Sequence, residues 1–291
     1  MLYAVSLRIE YTYEAPAAAA RHVLRVLPAN LNTVQRLIVG HIDVFPVPAQ
    51  RDVSIDFFGT STLNVAIRST HSQLVYSMQA RVERADLARL ALDSMGLPEL
   101  ALALQQCRSL EGQSPLHFTA ASRRSPIVEH FTNYARGHFM TGMPVADIVR
   151  SIGEALNRDM VFDAEATTVD TPALDAFANR RGVCQDFSHI MISCLRGIGI
   201  PAGYVSGFLR TKPPPGQPRL EGADAMHAWV RAWCGPVSGW LEYDPTNAMF
   251  ASGDHIVIGY GRDYSDISPV KGVSRLSGGQ TTRQSVDVVS L

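Results

Sequence analysis

The spacing of apolar residues along this chain changes twice, and this change limits the possible folds more than any other feature. Up to about residue 85, apolar and polar residues alternate in short stretches; one face of the first stretch carries Tyr3, Val5, Leu7, Ile9, Tyr11 and Tyr13. Such alternation is typical of half-buried β-strands. The spacing then becomes helical as far as about residue 200, after which strand-like stretches return. This order predicts an α+β protein.

The first strand-like region predicts a β-sandwich or barrel, because its short strands are regularly spaced and separated by turns. The helical stretches begin at residues 84–96, with Pro or Ser near several helix starts. We therefore expect a β-sandwich domain over residues 1–88 and an α+β domain over residues 89–291. An exposed proline-rich loop is expected at residues 212–218, and a closing strand at residues 280–291.

Composition limits the class of protein. The 291 residues carry a formal net charge of −1, so no basic surplus favours a nucleic-acid or acidic-membrane partner. No stretch approaches the roughly 18 consecutive apolar residues of a membrane span, and the N-terminal residues lack a signal-peptide pattern. Four cysteines in so long a chain do not indicate a disulfide framework. We expect a soluble protein of a reducing compartment, the cytoplasm.

Cys184 lies at the predicted start of a helix. The apolar face of this helix begins three residues later and comprises Phe187, Ile190, Met191, Cys194, Leu195 and Ile198. A helix start attracts negative charge, and together with a nearby protonated histidine it favours the reactive thiolate form of a cysteine. Arg180 and Arg181 could add positive potential, whereas Asp186 opposes it. The alternative is a cysteine that only packs as a small apolar residue.

A predicted hairpin brings a histidine and a carboxylate together. In "MHAWVRAWC" His227 and Arg231 share one face, and in "WLEYDPT" Glu242 and Asp244 share one face. Pairing Arg231 with Glu242, and Trp233 with Trp240, would give an ion pair and an aromatic pair. Asp244 is then the diagonal neighbour of His227, within side-chain reach. A structural hairpin with a chance contact is the alternative.

The other histidines are weaker candidates for a base. His189 lies on a different flank of the helix from Cys184 and is interpreted as a satisfied or exposed helix residue, and His255 as the start of a strand. Cys184, His227 and Asp244 can act as nucleophile, base and orienting acid. The backbone N–H of Cys184 can help to hold an oxyanion.

Three blocks, "RRGVCQDFSHIMISCLRGIGIPAGYVSGF", "DAMHAWVRAW" and "WLEYDPTN", resemble the transglutaminase-like superfamily of papain-type thiol enzymes in the order and spacing of its Cys, His and Asp motifs. The opening "YEAPAAAARHVLRVLP" and the stretch "HIVIGYGRDYSDISPVKGV" are similar to bacterial members with a β-sandwich before the catalytic domain. The resemblance implies a papain/transglutaminase-like core of helices packed on an antiparallel sheet. It also implies a Cys184–His227–Asp244 triad, acyl-enzyme chemistry on an amide, a peptide or protein substrate, and no cofactor.

The resulting prediction is a cysteine protease or amidase rather than a cross-linking transglutaminase, because no amine-acceptor module is evident. Trp229 flanks His227 and is the best tryptophan candidate for lining the substrate cleft, although packing is the alternative. Some relatives depend on calcium, but no loop has calcium-binding spacing, so we expect metal independence. A zinc site of Cys184, His227, Cys234 and a carboxylate is disfavoured by its spacing. A peptide-binding protein without catalysis remains the alternative, and the sequence does not indicate an oligomeric state.

Overall fold

The computed structural model describes residues 1–85, 94–211 and 224–291. The strands are β1 (Leu2–Ala17), β2 (Ala19–Leu24), β3 (Gln35–Phe45), β4 (Gln50–Ile55), β5 (Ser61–Ile67), β6 (His71–Arg84), β7 (Val161–Phe162), β8 (Arg181–Gly182), β9 (Ala202–Leu209), β10 (Ala225–Trp233), β11 (Trp240–Asp244), β12 (Met249–Phe250), β13 (His255–Gly261), β14 (Val270–Arg275) and β15 (Gln280–Ser290). The helices are α1 (Leu97–Gln106), α2 (Glu129–Arg136), α3 (Val145–Asp159), α4 (Ala173–Asn179), α5 (Cys184–Gly197) and α6 (Tyr264–Ile267), with a 3₁₀ helix at Pro115–Phe118.

Two four-stranded antiparallel sheets form the predicted β-sandwich. Their strand orders are β15-β1-β6-β3 and β14-β2-β5-β4. The alternation in β1 is confirmed, since Tyr3, Val5, Leu7 and Ile9 are buried while the residues between them are more exposed. These side chains pack in the core between the two sheets, and this burial of apolar surface stabilises the sandwich.

The end of the chain belongs to the sandwich as well. Strand β14 pairs with β2, and β15 pairs with β1 over 11 residue pairs. The predicted division assigned these last strands to the second domain, and the structure differs because they cover edges that β1 and β2 would otherwise leave unpaired. The boundary at residue 88, most of the helix predicted at 84–96, and the loop predicted at 212–218 lie outside the described residues.

A second layer of structure packs α5 against a five-stranded antiparallel sheet of order β12-β11-β10-β9-β13. The predicted start of α5 at Cys184 is confirmed. Its predicted apolar face is buried except for Ile198, which lies just after the helix and is partly buried. The helix is more central than predicted, because its polar residues from Gln185 to Arg196 are buried too. The opposite face of the sheet contributes Phe208, Ile256 and Ile258 to the sandwich core. The sheet therefore joins the two parts of the molecule. Within the described ranges, no helix is both long and apolar enough to cross a membrane.

Candidate active site

Cys184 is the first residue of α5 and is partly exposed. The turn before it is held by Asp186, whose carboxylate accepts hydrogen bonds from the Val183 backbone N–H at 2.8 Å and from the Thr167 hydroxyl at 2.6 Å. Gly182 makes room for this carboxylate, since a Cβ there would lie 2.6 Å from its Oδ2 atom. Burial raises the pKa of Asp186. Asp186 therefore fixes the turn that presents Cys184.

The two arginines before Cys184 are directed to other partners. Arg181 pairs with Asp163 at 3.3 Å. The guanidinium of Arg180 lies 4.0 Å from the ring centroid of Phe177. Their positive charge is therefore shared with these groups, which reduces the contribution that the sequence predicted for them at Cys184.

The hairpin register predicted from alternation is confirmed. Arg231 lies opposite Glu242 and Trp233 lies opposite Trp240, and β11 ends at Asp244. The structure brings His227 and Asp244 together, with Nε2 of His227 2.7 Å from Oδ2 of Asp244. A strand register that places both side chains on one face thus leads directly to a hydrogen-bonded imidazole–carboxylate pair.

Two details of the predicted hairpin are wrong. Arg231 does not pair with Glu242 but donates to Oε1 of Gln113 at 2.5 Å. Trp240 was predicted to form an aromatic pair with Trp233. Its indole instead packs edge-on against Phe118, with the ring centroids 5.1 Å apart. The reason is that residues outside the hairpin, around the 3₁₀ helix, cover this face and compete for both side chains.

Cys184 lies next to His227. Burial lowers the pKa of His227, but hydrogen bonds to Asp244 and Cys184, together with the charges of both groups, outweigh it and raise this pKa to about 10. Nε2 of His227 is engaged by Asp244, so Nδ1 is the ring nitrogen that remains for the thiol. At neutral pH the histidine is therefore a cation between a carboxylate and a sulfur.

Asp244 is fully buried, and both oxygens of its carboxylate accept hydrogen bonds. Oδ2 accepts from His227, His255 and the Asn247 side chain at 2.7, 3.1 and 2.7 Å. Oδ1 accepts from the backbone N–H groups of Thr246 and Asn247 at 2.9 and 3.2 Å. Burial alone would raise the pKa of Asp244, but these hydrogen bonds hold it well below its usual range. The carboxylate is thus ionised and fixed in orientation.

His255 and Asn247 are the site residues that the sequence analysis missed. His255 begins β13 as predicted, but its Nε2 also contacts Asp244. Its Nδ1 accepts the backbone N–H of Ser252 at 3.1 Å, so Nε2 carries the proton that is donated to Asp244. The turn that carries Asn247 could have been found, because Asp-Pro sequences favour turn initiation and an aspartate side chain commonly accepts the backbone N–H two residues later. His255 could not, because its position depends on how β13 pairs with β9.

One group in the described part of the chain has the geometry of candidate metal ligands. One ligand atom each from His227, Asp244 and His255 lies within 4.8 Å of the others. The two histidine nitrogens already hydrogen-bond to the carboxylate. Cys234 lies apart in the helix–sheet core, with its Sγ 3.7 Å from the Ala232 carbonyl oxygen. The described residues therefore do not assemble the zinc site considered from sequence.

Trp229 does not line a cleft, so that prediction is wrong. Its side chain is fully buried, and its Nε1 donates to Oε2 of Glu242 at 2.8 Å. Its ring stacks beside His227 with centroids 6.1 Å apart and meets His255 edge-on at 5.1 Å. The sequence could not show that the sandwich covers this face of β10. The Trp229 indole therefore packs against the rings of both His227 and His255.

Gly207 provides the space for this indole. It lies opposite His227 in the β9–β10 pair, and a Cβ there would lie 2.4 Å from the Trp229 ring and 2.2 Å from the Ile256 carbonyl oxygen. We expect Gly207→Ala to lower the free energy of unfolding by about 1–3 kcal/mol, because overpacking forces the indole or the strand to move. Guanidinium denaturation measures this. Gly137→Ala, whose Cβ would approach no other atom closer than 3.4 Å, is the matched control; equal stability of the two variants would contradict the prediction.

A cysteine at the start of a buried helix, next to a histidine–aspartate pair on an adjoining antiparallel sheet, defines the class of papain-like thiol-dependent folds. Residues 132–245 match the family model of the transglutaminase-like superfamily, and residues 3–83 match that of the bacterial transglutaminase-like N-terminal region. The chain belongs to the transglutaminase-like superfamily.

Relatives match along almost the whole chain. An uncharacterised protein of Mycobacterium tuberculosis is 31% identical over 279 residues, which is 93% of this chain and 87% of the relative. One of Mycobacterium leprae is 33% identical over 265 residues, with 90% and 89% covered. A crystal structure from Cytophaga hutchinsonii, described as a candidate cysteine protease, superposes with a TM-score of 0.76 at 20% identity and covers 100% of this chain and 91% of that one. At that identity the structural likeness concerns the fold.

Proposed function

We propose that this protein is a cysteine hydrolase that cleaves amide bonds in peptide or protein substrates through a Cys184 acyl-enzyme. The observation that carries the proposal is the position of His227, which hydrogen-bonds to Asp244 on one side and lies next to Cys184 on the other. An imidazolium beside a thiol stabilises the thiolate, which is the nucleophilic form of cysteine. The description of the Cytophaga hutchinsonii protein agrees with this chemistry.

The reaction has two steps. In the first, Sγ of Cys184 forms a bond to the substrate carbonyl carbon, the C–N bond breaks, and His227 gives its proton to the departing amine. In the second, His227 accepts a proton from water, the resulting hydroxide oxygen bonds to the acyl carbon, and the C–S bond breaks to restore the thiolate. Asp244 keeps the imidazole in one orientation and stabilises its charged form throughout.

The backbone N–H of Cys184 supplies one donor for the oxyanion. As the first residue of α5, Cys184 has an N–H without a carbonyl partner inside the helix. The positive end of the helix dipole acts in the same direction. Such a donor stabilises the tetrahedral intermediate by a few kcal/mol.

Acyl transfer to probe substrates tests the proposal. We expect p-nitrophenyl acetate and blocked peptide p-nitroanilides to leave one acyl group on the peptide that contains Cys184, seen by mass spectrometry. Cys184→Ala should abolish the adduct, whereas Cys107→Ala, at the other partly exposed thiol, should not. In the presence of a primary amine, the carboxylic acid should remain the main product.

The possible results separate the alternatives. Absence of any Cys184 adduct with every probe would overturn the proposed enzyme. An amide as the main product would instead make the protein a transamidase. In both cases the comparison with Cys107→Ala excludes a general effect of thiol loss.

A further inference from the structure

A cavity lies behind the candidate site, between the sandwich and the five-stranded sheet. Its volume is about 810 Å³, within the range of about 300–1,000 Å³ typical of small-molecule sites. Its walls are largely apolar and aromatic and include Leu31, Val34, Phe58, Trp240, Phe250 and Tyr260. Cys184 and His227 are not among the lining residues, so this cavity is distinct from the candidate active site.

Buried polar groups that line the cavity lack partners. Arg84 and Arg231 are 1% and 2% exposed. Among the described residues, nothing hydrogen-bonds to Nε and Nη1 of Arg84, to Nε and Nη2 of Arg231, or to the hydroxyl of Thr60. Buried donors are normally satisfied, because an unpaired one costs about 1–3 kcal/mol, and more when it is charged.

Arg196 shows how this same protein buries a structural arginine. It is 4% exposed, yet all three of its guanidinium nitrogens donate. The acceptors are the carbonyl oxygens of Ala202, Ala120 and Arg262 and the hydroxyl of Ser122, at 2.7–3.0 Å. Arg84 and Arg231 lack such a set of acceptors, and neighbouring side chains cover their unpaired donors. A partner that enters the cavity must therefore displace part of this cover to reach them.

The charge balance favours an anion as that partner. Among the described residues that line the cavity, Glu242 is the one carboxylate. Its two oxygens accept from Tyr260 and Trp229 at 3.0 and 2.8 Å, and it lies 4.0 Å from Arg84. Two guanidinium groups against one carboxylate leave an excess positive charge, which is costly in a buried site unless it is compensated.

The surroundings of Arg231 select the geometry of the anion. Its guanidinium lies 4.1–4.5 Å from the ring centroids of Phe118, Trp240 and Tyr260, so aromatic rings cover it. Nη1 donates to Gln113, which leaves Nε and Nη2, the two parallel donors of one edge. Burial lowers the pKa of Arg231 to about 10, but at neutral pH the group remains charged. That edge matches the two oxygens of a carboxylate.

We propose that this cavity binds an organic carboxylate with an apolar or aromatic body, its two oxygens on the Nε–Nη2 edge of Arg231. Arg84 and Thr60 supply further donors, and the aromatic walls hold the body of the ligand. Free aromatic acids and the carboxyl end of a peptide share this chemistry. The site is independent of the proposed hydrolase activity.

Calorimetric titration with two acids and their amides tests this assignment. We expect 3-phenylpropionate, as a free acid, or N-acetylphenylalanine, as a peptide end, to bind at least about tenfold more tightly than its own amide, because hydrogen bonds to charged groups are worth about 1.5–3 kcal/mol. Tighter binding of 3-phenylpropionate would indicate a free aromatic acid as the ligand, and tighter binding of N-acetylphenylalanine would indicate the carboxyl end of a peptide. Alkylating Cys184 beforehand should leave the affinity unchanged, and this separates the result from the fate of the proposed activity.

Variants locate the binding. Arg231→Met should weaken binding at least about tenfold, and Glu242→Gln should strengthen it by removing the competing negative charge. Arg36→Met, at an arginine whose side chain is 70% exposed, is the control. If Arg231→Met does not fold, Glu242→Gln and the acid–amide comparison in the wild type decide.

Any of the following results would overturn the assignment. These are no binding of either acid at about 10 mM, equal binding of acid and amide, or an unchanged affinity in folded Arg231→Met or in Glu242→Gln. Binding of inorganic phosphate without either acid would also overturn it, because the aromatic walls would then have no role.

Discussion

Replacing His227 with alanine is expected to slow the alkylation of Cys184 by iodoacetamide at about pH 6 by two orders of magnitude or more. The wild-type thiol lies next to an imidazole whose pKa is raised to about 10, so a cation faces the sulfur at this pH. Alanine removes that cation and leaves the start of α5 as the remaining positive influence. Peptide mapping by mass spectrometry after timed labelling gives the rate at each cysteine.

The chain provides its own controls for this measurement. Cys107 is also partly exposed, and its Sγ lies 3.6 Å from the Ser114 hydroxyl, so its rate serves as an internal reference. His41 forms a 2.9 Å pair with Asp43 on the surface of the sandwich. His41→Ala therefore removes a histidine that is also paired with an aspartate, but without affecting Cys184.

Two outcomes of the labelling experiment are informative. A Cys184-to-Cys107 rate ratio that falls only in His227→Ala supports a working thiolate–imidazolium pair. Equal ratios in the wild type and His227→Ala would contradict it, and the fold would then be better explained as a binding protein.

Local sequence patterns predicted the secondary-structure elements and the register of one hairpin. Alternation in β10 and β11, with a turn between them, was enough to predict the strand register that places Arg231 opposite Glu242, because a one-residue slip would move every side chain to the other face. The start of α5 at Cys184 followed from the onset of helical spacing. These features depend on residues that are close in the chain.

What could not be predicted depends on residues that are distant in the chain. His255 reaches Asp244 only because β13 pairs with β9, and Trp229 is buried only because the sandwich covers β10. The last strands join the first ones in the sandwich. The buried polar residues of α5 also follow from its central position, which spacing along one helix does not reveal.

The second large effect is expected for Asp244→Asn, a substitution that changes almost no volume. All five groups around this carboxylate are donors, three on Oδ2 and two on Oδ1. An asparagine has one acceptor oxygen, which can serve only one of these two sets of donors. Its NH₂ group then faces the other set, so those donors lose their acceptor. Breaking a buried charged pair in this way costs about 3–5 kcal/mol. Guanidinium denaturation of Asp244→Asn against Asp43→Asn, the exposed counterpart, measures the loss; equal losses would contradict the prediction.

The pH dependence of this loss identifies the charged pair as its cause. The pKa of Asp244 in the folded protein lies below its ordinary 3.8, so its contribution is present above that pH and disappears only in stronger acid. The pKa of His227 is raised from 6.5 to about 10, so its contribution is complete below 6.5 and is lost as pH rises through 10. The stability difference between the wild type and Asp244→Asn should therefore be largest between about pH 4 and 6.5 and shrink towards pH 10. A difference that did not vary with pH would mean that packing, not the charge held by His227 and Asp244, stabilises this site.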